Sequence, residues 1–132
     1  MNKDIIILIL CHGKLAQELY NTAKMIIGKI ENVSYLNFLA DMSFEDLEKK
    51  VKEFVEEKKD SDIMIFTDLF GGSCFNICSE IIEQKNIRIF SGINLGLLLE
   101  AIFLRNSCDL EHLAEALYKK KNDTIVYVNK KI

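Results

Sequence analysis

Three short segments carry residues able to do group-transfer chemistry: Cys11-His12-Gly13, Asp68-Leu69-Phe70-Gly71-Gly72-Ser73, and Gly92-Ile93-Asn94. A neutral imidazole whose Nδ1–H is held by a carboxylate keeps a lone pair on Nε2, and so serves as a nucleophile or base. For His12 the candidate carboxylate is Asp68; the plainer alternatives are a structural histidine and an aspartate that caps a turn. Gly71-Gly72-Ser73 adds a place for an anion. Paired glycines let backbone amides approach a ligand unobstructed, a following helix offers free N–H groups and its positive dipole end, and Ser73 adds a hydroxyl. Phosphate fits such a cradle.

Neither nucleotide fingerprint is present: there is no Gly-x-Gly-x-x-Gly and no Walker pattern. The Gly-x-Ser-x-Gly elbow of hydrolases is missing too, which removes Ser73 as an acyl-transfer nucleophile. Histidine with an anion cradle therefore points to a phosphoryl group carried on the histidine itself, with no cofactor. Four cysteines, Cys11, Cys74, Cys78 and Cys108, read as reduced thiols in a chain without secretory features. A zinc-binding domain using Cys11, His12, Cys74 and Cys78 stays open as a rival, because Cys74 and Cys78 are one helical turn apart.

The elements that must position these residues alternate. Ile5 to Leu10, Val33 to Phe38, Ile63 to Thr67 and Ile87 to Ser91 are apolar or alternating runs that predict strands. Between them, Leu15, Leu19, Ala23, Ile26 and Ile27 keep a helical period up to Gly28. Ser43-Phe44-Glu45-Asp46 opens a second helix as a capping box, with Phe44, Leu47, Val51, Phe54 and Val55 as its apolar stripe. Phe75, Cys78, Ile81 and Ile82 predict a helix after the glycines, and Leu95 to Arg105 another. Leu110, Leu113, Ala114, Leu117 and Tyr118 mark a fifth helix, with His112 on its surface. Thr124 to Val128 reads as a last strand whose direction stays open. Such alternation predicts an α/β fold of three layers, a mainly parallel sheet with helices on both faces. Ligands in such sheets gather at the carboxyl ends of strands, where strand order reverses. All three chemical segments sit at those ends.

With 132 residues the expectation is one domain, residues 1–132, and a single core. Seventeen basic against 20 acidic residues, a formal charge of −3, argues against nucleic-acid binding through a basic face. No apolar run is long enough to insert into a membrane, and Met1-Asn2-Lys3-Asp4 lacks a signal peptide's features, so a cytoplasmic location is expected.

Taken together, Cys11-His12-Gly13, Asp68-Leu69-Phe70-Gly71-Gly72-Ser73-x-Phe75-Asn76 and Ser91-Gly92-Ile93-Asn94-Leu95 resemble the mannose-family IIA domain of the bacterial phosphoenolpyruvate-dependent sugar phosphotransferase system (PTS). The resemblance spans nearly the whole chain, with the motifs in order. It implies a phosphocarrier in which His12 accepts a phosphoryl group through Nε2 from phospho-HPr and passes it to a IIB component, serving sugar uptake through the membrane IIC/IID complex. It implies that Asp68 orients His12, that Gly71, Gly72 and Ser73 hold the phosphoryl oxygens, and that neither metal nor cofactor is needed. It further implies a homodimer in which the last strand, Thr124 to Val128, is exchanged. A regulatory IIA-like domain that signals by its phosphorylation state is the rival within the same fold.

Three positions depart from the family pattern. Cys11 replaces a hydroxyl residue often found before the histidine, and Cys74 and Gly96 replace prolines usual at two helix starts. A thiol at a helix N-terminus can have a lowered pKa, so Cys74 is expected to make the site sensitive to oxidants.

Overall fold

A computed structural model of the chain describes residues 4–131. The reading of Met1-Asn2-Lys3 therefore lies outside the described residues. Four parallel strands form one sheet in the order β2-β1-β3-β4: β1 (Ile5–His12), β2 (Val33–Phe38), β3 (Asp62–Thr67) and β4 (Ile87–Ser91). The chain leaves β1 to one side to make β2, then crosses back to place β3 on the other. The order thus reverses around β1 and β3, and the crevice between their carboxyl ends is where a ligand finds room. His12 ends one of these strands and Asp68 follows the other.

Five helices cover the sheet: α1 (Leu15–Ile27), α2 (Phe44–Glu57), α3 (Gly72–Ser79), α4 (Leu95–Leu104) and α5 (Leu110–Lys120). Alternation along β1 divides the core. Ile5, Ile7, Ile9 and Cys11 face a cluster with α1, α4 and α5, whereas Leu8 and Leu10 face Leu47, Val51 and Val55 of α2 and Cys74, Ile77 and Cys78 of α3. By the same period of two, the His12 side chain belongs to the face of Leu10. β1 and β3 are buried on both faces, which is why they read as unbroken apolar runs.

Local signals set several boundaries. Ser43 Oγ accepts from Asp46 N and Asp46 accepts from Ser43 N, closing the expected capping box, which contributes about 1 kcal/mol. At the foot of the sheet the Arg105 guanidinium donates to the carbonyls of Ile5, Asn32 and Glu31, tying α4 to the starts of β1 and β2. A cavity of about 450 Å³ opens there, lined by Ile27, Ile102 and Arg105, at the opposite end from His12.

Several expectations need correction. The strand over Thr124 to Val128 is not formed: Thr124 and Ile125 lie in a bend, and a short helix, α6 (Val128–Lys131), follows. Alternating side chains make a strand only where a neighbour pairs with the backbone, and here Thr124 Oγ1 instead accepts from Asn94 Nδ2 at 3.1 Å. On α1 the buried positions are Ala16 and Ala23, while Leu15 and Ile26 are exposed. The helix after the glycines stops at Ser79, so Ile81 is buried from a turn and Ile82 faces solvent. β1 runs two residues further than Leu10, because Cys11 and His12 pair with Asn37 and Phe38 of β2. His112 is exposed, as expected.

Candidate functional site

His12 and Asp68 meet across 56 residues of sequence. The Asp68 carboxylate accepts twice: His12 backbone N–H donates to Oδ2 at 3.0 Å, and Nδ1 lies 2.9 Å from Oδ2 and 3.1 Å from Oδ1. Leu69 N also donates to Oδ1 at 3.0 Å. A carboxylate held by two backbone amides is fixed in place, and it fixes the imidazole with Nδ1 inward. Burial acts to raise the Asp68 pKa, but the hydrogen bonds from His12 and the imidazole's charge outweigh it, leaving the carboxyl below its ordinary value. The histidine side chain keeps 41% of its surface exposed against 11% for Asp68. Nε2 is thus the nitrogen turned to the opening.

The glycines lie on that open side. A Cβ added to Gly72 would stand 3.5 Å from His12 Cε1 and 3.8 Å from Nε2, and Gly71 and Gly72 take φ of +87° and +83°. These left-handed values suit glycine and carry the chain from the loop into α3 close beside the ring. Gly71 caps α3 without a side-chain hydrogen bond, so the first amides of the helix keep their donors for another partner. Ser73, half-buried, stands on the first turn. The loop after β4 joins differently: Gly92 N and Ile93 N donate to the Thr67 carbonyl, while Asn94 caps α4 through Leu97 N and bonds Thr124. Asn94 therefore shapes the rim and has no bond to His12.

Sequence reasoning missed two supports. Phe38 packs its ring 5.9 Å from the imidazole centroid, and Thr67 Oγ1 lies 2.7 Å from Ser91 Oγ, pinning the ends of β3 and β4 just before Asp68. The signal was a polar residue closing each of two neighbouring apolar runs. Beside the site Leu69 and Phe70 are 60% and 83% exposed, and Phe70 rests on Phe75 at 4.6 Å.

The four cysteines are free thiols, as expected, but Cys74 is not the activated thiol its position suggested. Cys11, Cys74 and Cys78 are fully buried, and burial, with Asp68's charge adding at Cys11 and Cys74, pushes all three thiols up to about 12. For Cys74 desolvation and the nearby carboxylate outweigh the helix dipole, so the activated thiol expected there is not found. The four-residue zinc set is not assembled either. His12, Asp68 and Cys74 have ligand atoms within 4.8 Å of one another, but Cys11 points into the opposite layer of the core and Cys78 lies a turn further along α3.

A histidine held by a carboxylate, with open backbone amides beside its free nitrogen, can carry a phosphoryl group. Residues 6–118 match the family described as the PTS system fructose IIA component. The chain is 31% identical over 104 residues to the PTS system mannose-specific EIIAB component of Escherichia coli strain K12, covering 77% of this chain but only 32% of that longer relative. It is 25% identical over 127 residues to the sorbose-specific EIIA component of Lacticaseibacillus casei, covering 96% and 92% of the two chains. The crystal structure of phosphotransferase system component EIIA from Streptococcus agalactiae superposes with a TM-score of 0.88 at 30% identity, over 96% of this chain and 98% of that one. No described helix is long and apolar enough to cross a membrane. The chain belongs to the mannose-type IIA family of the sugar phosphotransferase system.

Proposed function

We propose that the chain is a phosphocarrier that takes a phosphoryl group from the phosphohistidine of HPr onto His12 Nε2 and hands it to a IIB component. The observation that carries this reading is the His12–Asp68 pair at the point where strand order reverses. In the forward step the Nε2 lone pair attacks phosphorus, the bond from phosphorus to the HPr imidazole breaks, and that imidazole leaves with the electron pair. Nδ1 keeps its proton throughout and donates a hydrogen bond to Asp68, whose carboxylate balances the positive charge that grows on the ring. The reverse sense of the same step delivers the group to IIB. Phosphoryl transfer asks mainly for alignment and charge stabilisation. Gly71, Gly72 and Ser73 are assigned to the phosphoryl oxygens, through the amides opening α3 and the serine hydroxyl.

Further features support a protein as donor and acceptor. The His12 side chain is 41% exposed, and the exposed Leu69 and Phe70 after Asp68 form an apolar patch suited to a protein surface. The chain is read as a single cytoplasmic domain, coupled through IIB to the IIC/IID membrane complex. It is read as a homodimer: β4 lies at the open edge of the sheet, and Ile125, Val126 and Tyr127, outside any helix or strand, are exposed apolar residues that a second copy would cover.

The test is intact mass after incubation with phosphoenolpyruvate, enzyme I and HPr. Wild type should gain one acid-labile phosphoryl group that His12→Ala cannot take. A folded wild type that takes none while HPr is phosphorylated refutes the reading.

A further inference from the structure

We propose that His12, Asp68 and Cys74 form a three-ligand site for a soft divalent cation of the zinc or cadmium kind. One imidazole nitrogen, one carboxylate oxygen and the Cys74 sulfur already lie within 4.8 Å of one another, and the nitrogen–oxygen pair is at 2.9 Å. Tetrahedral zinc with sulfur, nitrogen and oxygen ligands sets them roughly 3.3–3.6 Å apart. Separations of up to 4.8 Å therefore have about 1 Å to close. The three residues come from the end of β1, the loop after β3 and the first turn of α3, and each offers a different donor of a type that zinc accepts. Cys74 is wholly buried, so the sulfur lies on the core side of the site and leaves a fourth position to a non-protein ligand. Three protein ligands with one open position is an arrangement zinc adopts.

Binding releases the Cys74 thiol proton to solvent, moves the imidazole proton from Nδ1 to Nε2, and forms one bond each from the metal to sulfur, Nδ1 and a carboxylate oxygen; no electron moves. The cation takes up both the imidazole and its orienting carboxylate. With the metal on Nδ1 and the ring proton on Nε2, Nε2 has no lone pair to attack phosphorus, so metal and phosphoryl group exclude one another on His12, a competition that rests on the function proposed above, whereas the binding itself does not.

The test titrates Cd²⁺ into the reduced full chain and reads the sulfur-to-cadmium charge-transfer band, with circular dichroism as the check on folding. One equivalent should saturate wild type and Cys108→Ser alike. The band should vanish in Cys74→Ser, and affinity should fall by about tenfold or more in Asp68→Asn. No band in folded wild type, a band that survives in Cys74→Ser, or one that disappears in Cys108→Ser overturns the proposal. Should Cys74→Ser fail to fold, the ¹¹³Cd resonance of wild type decides: a shift for one sulfur with nitrogen and oxygen supports the site, and an all-oxygen or multi-sulfur shift overturns it. A full band in a protein that HPr cannot phosphorylate would sink the carrier reading and leave the cation site standing.

Discussion

Replacing Gly72 by alanine adds one methyl group beside the nitrogen assigned to the chemistry. Two costs follow. At φ +83° an L-residue is strained, by about 1–3 kcal/mol. The new carbon also stands 3.8 Å from Nε2 and 3.5 Å from Cε1, ordinary contact with a bare ring, so the imidazole need not move. The space lost is the space that phosphoryl oxygens need on that side of Nε2. Gly71 separates the two costs, since it has φ +87° and nothing within 4 Å of an added Cβ. Gly71→Ala therefore carries the strain without the obstruction. Urea unfolding should show both variants destabilised by about 1–3 kcal/mol. Single-turnover acceptance from phospho-HPr should fall about a hundredfold in Gly72→Ala, the scale of a misplaced reacting group, and by less than about tenfold in Gly71→Ala. Equal acceptance by the two folded variants would refute the reasoning.

Asp68→Asn keeps the shape but loses the charge on the hydrogen bond to Nδ1, about 1.5–3 kcal/mol, so acceptance should slow roughly ten- to a hundredfold in the same assay. Because the folded Asp68 pKa is depressed, the carboxylate stabilises the fold above its unfolded value of roughly 3.9 and loses that effect as pH falls through the folded value. Acid-unfolding curves of wild type and Asp68→Asn should accordingly converge at the acid end. A neutral-pH thiol reagent should label Cys108 in the folded chain and leave Cys11, Cys74 and Cys78 unlabelled until urea is added, since those three are buried with thiols near 12; mass mapping reads this directly. His112 Nδ1 lies 2.6 Å from Asp109 Oδ1, and that hydrogen bond raises its pKa. An NMR titration should place it above roughly 6.5, with its support of the α5 start complete below that value and lost as pH rises through the raised one. Asp109→Ala should return it to the ordinary range.

What could be read from the sequence depended on whether the signal was local. β1 and β3 were legible because parallel strands buried on both faces are short apolar runs, and the site was legible because its motifs close those runs. Ser43 and Asp46 fixed the start of α2 through hydrogen bonds that span three residues. Thr124 to Val128 misled because alternation describes a segment fit to pair and says nothing of whether a neighbour is there. Cys74 misled for a related reason. Its position at a helix start is visible in sequence, but its burial and the charge of Asp68, 3.1 Å or less from the His12 ring, exist only once β1, β3 and α3 converge. The Thr67–Ser91 contact likewise depends on the register of β3 with β4.

The central claim is that Asp68 holds Nδ1 so that Nε2 of His12 carries the phosphoryl group. Nitrogen-15 and phosphorus-31 NMR of the uniformly ¹⁵N-labelled, phosphorylated chain tests it most directly. The account predicts one phosphorus resonance coupled to His12 Nε2, with Nδ1 still protonated and hydrogen-bonded. Coupling to Nδ1, or a phosphoryl group on His112, Ser73 or a cysteine, would contradict it.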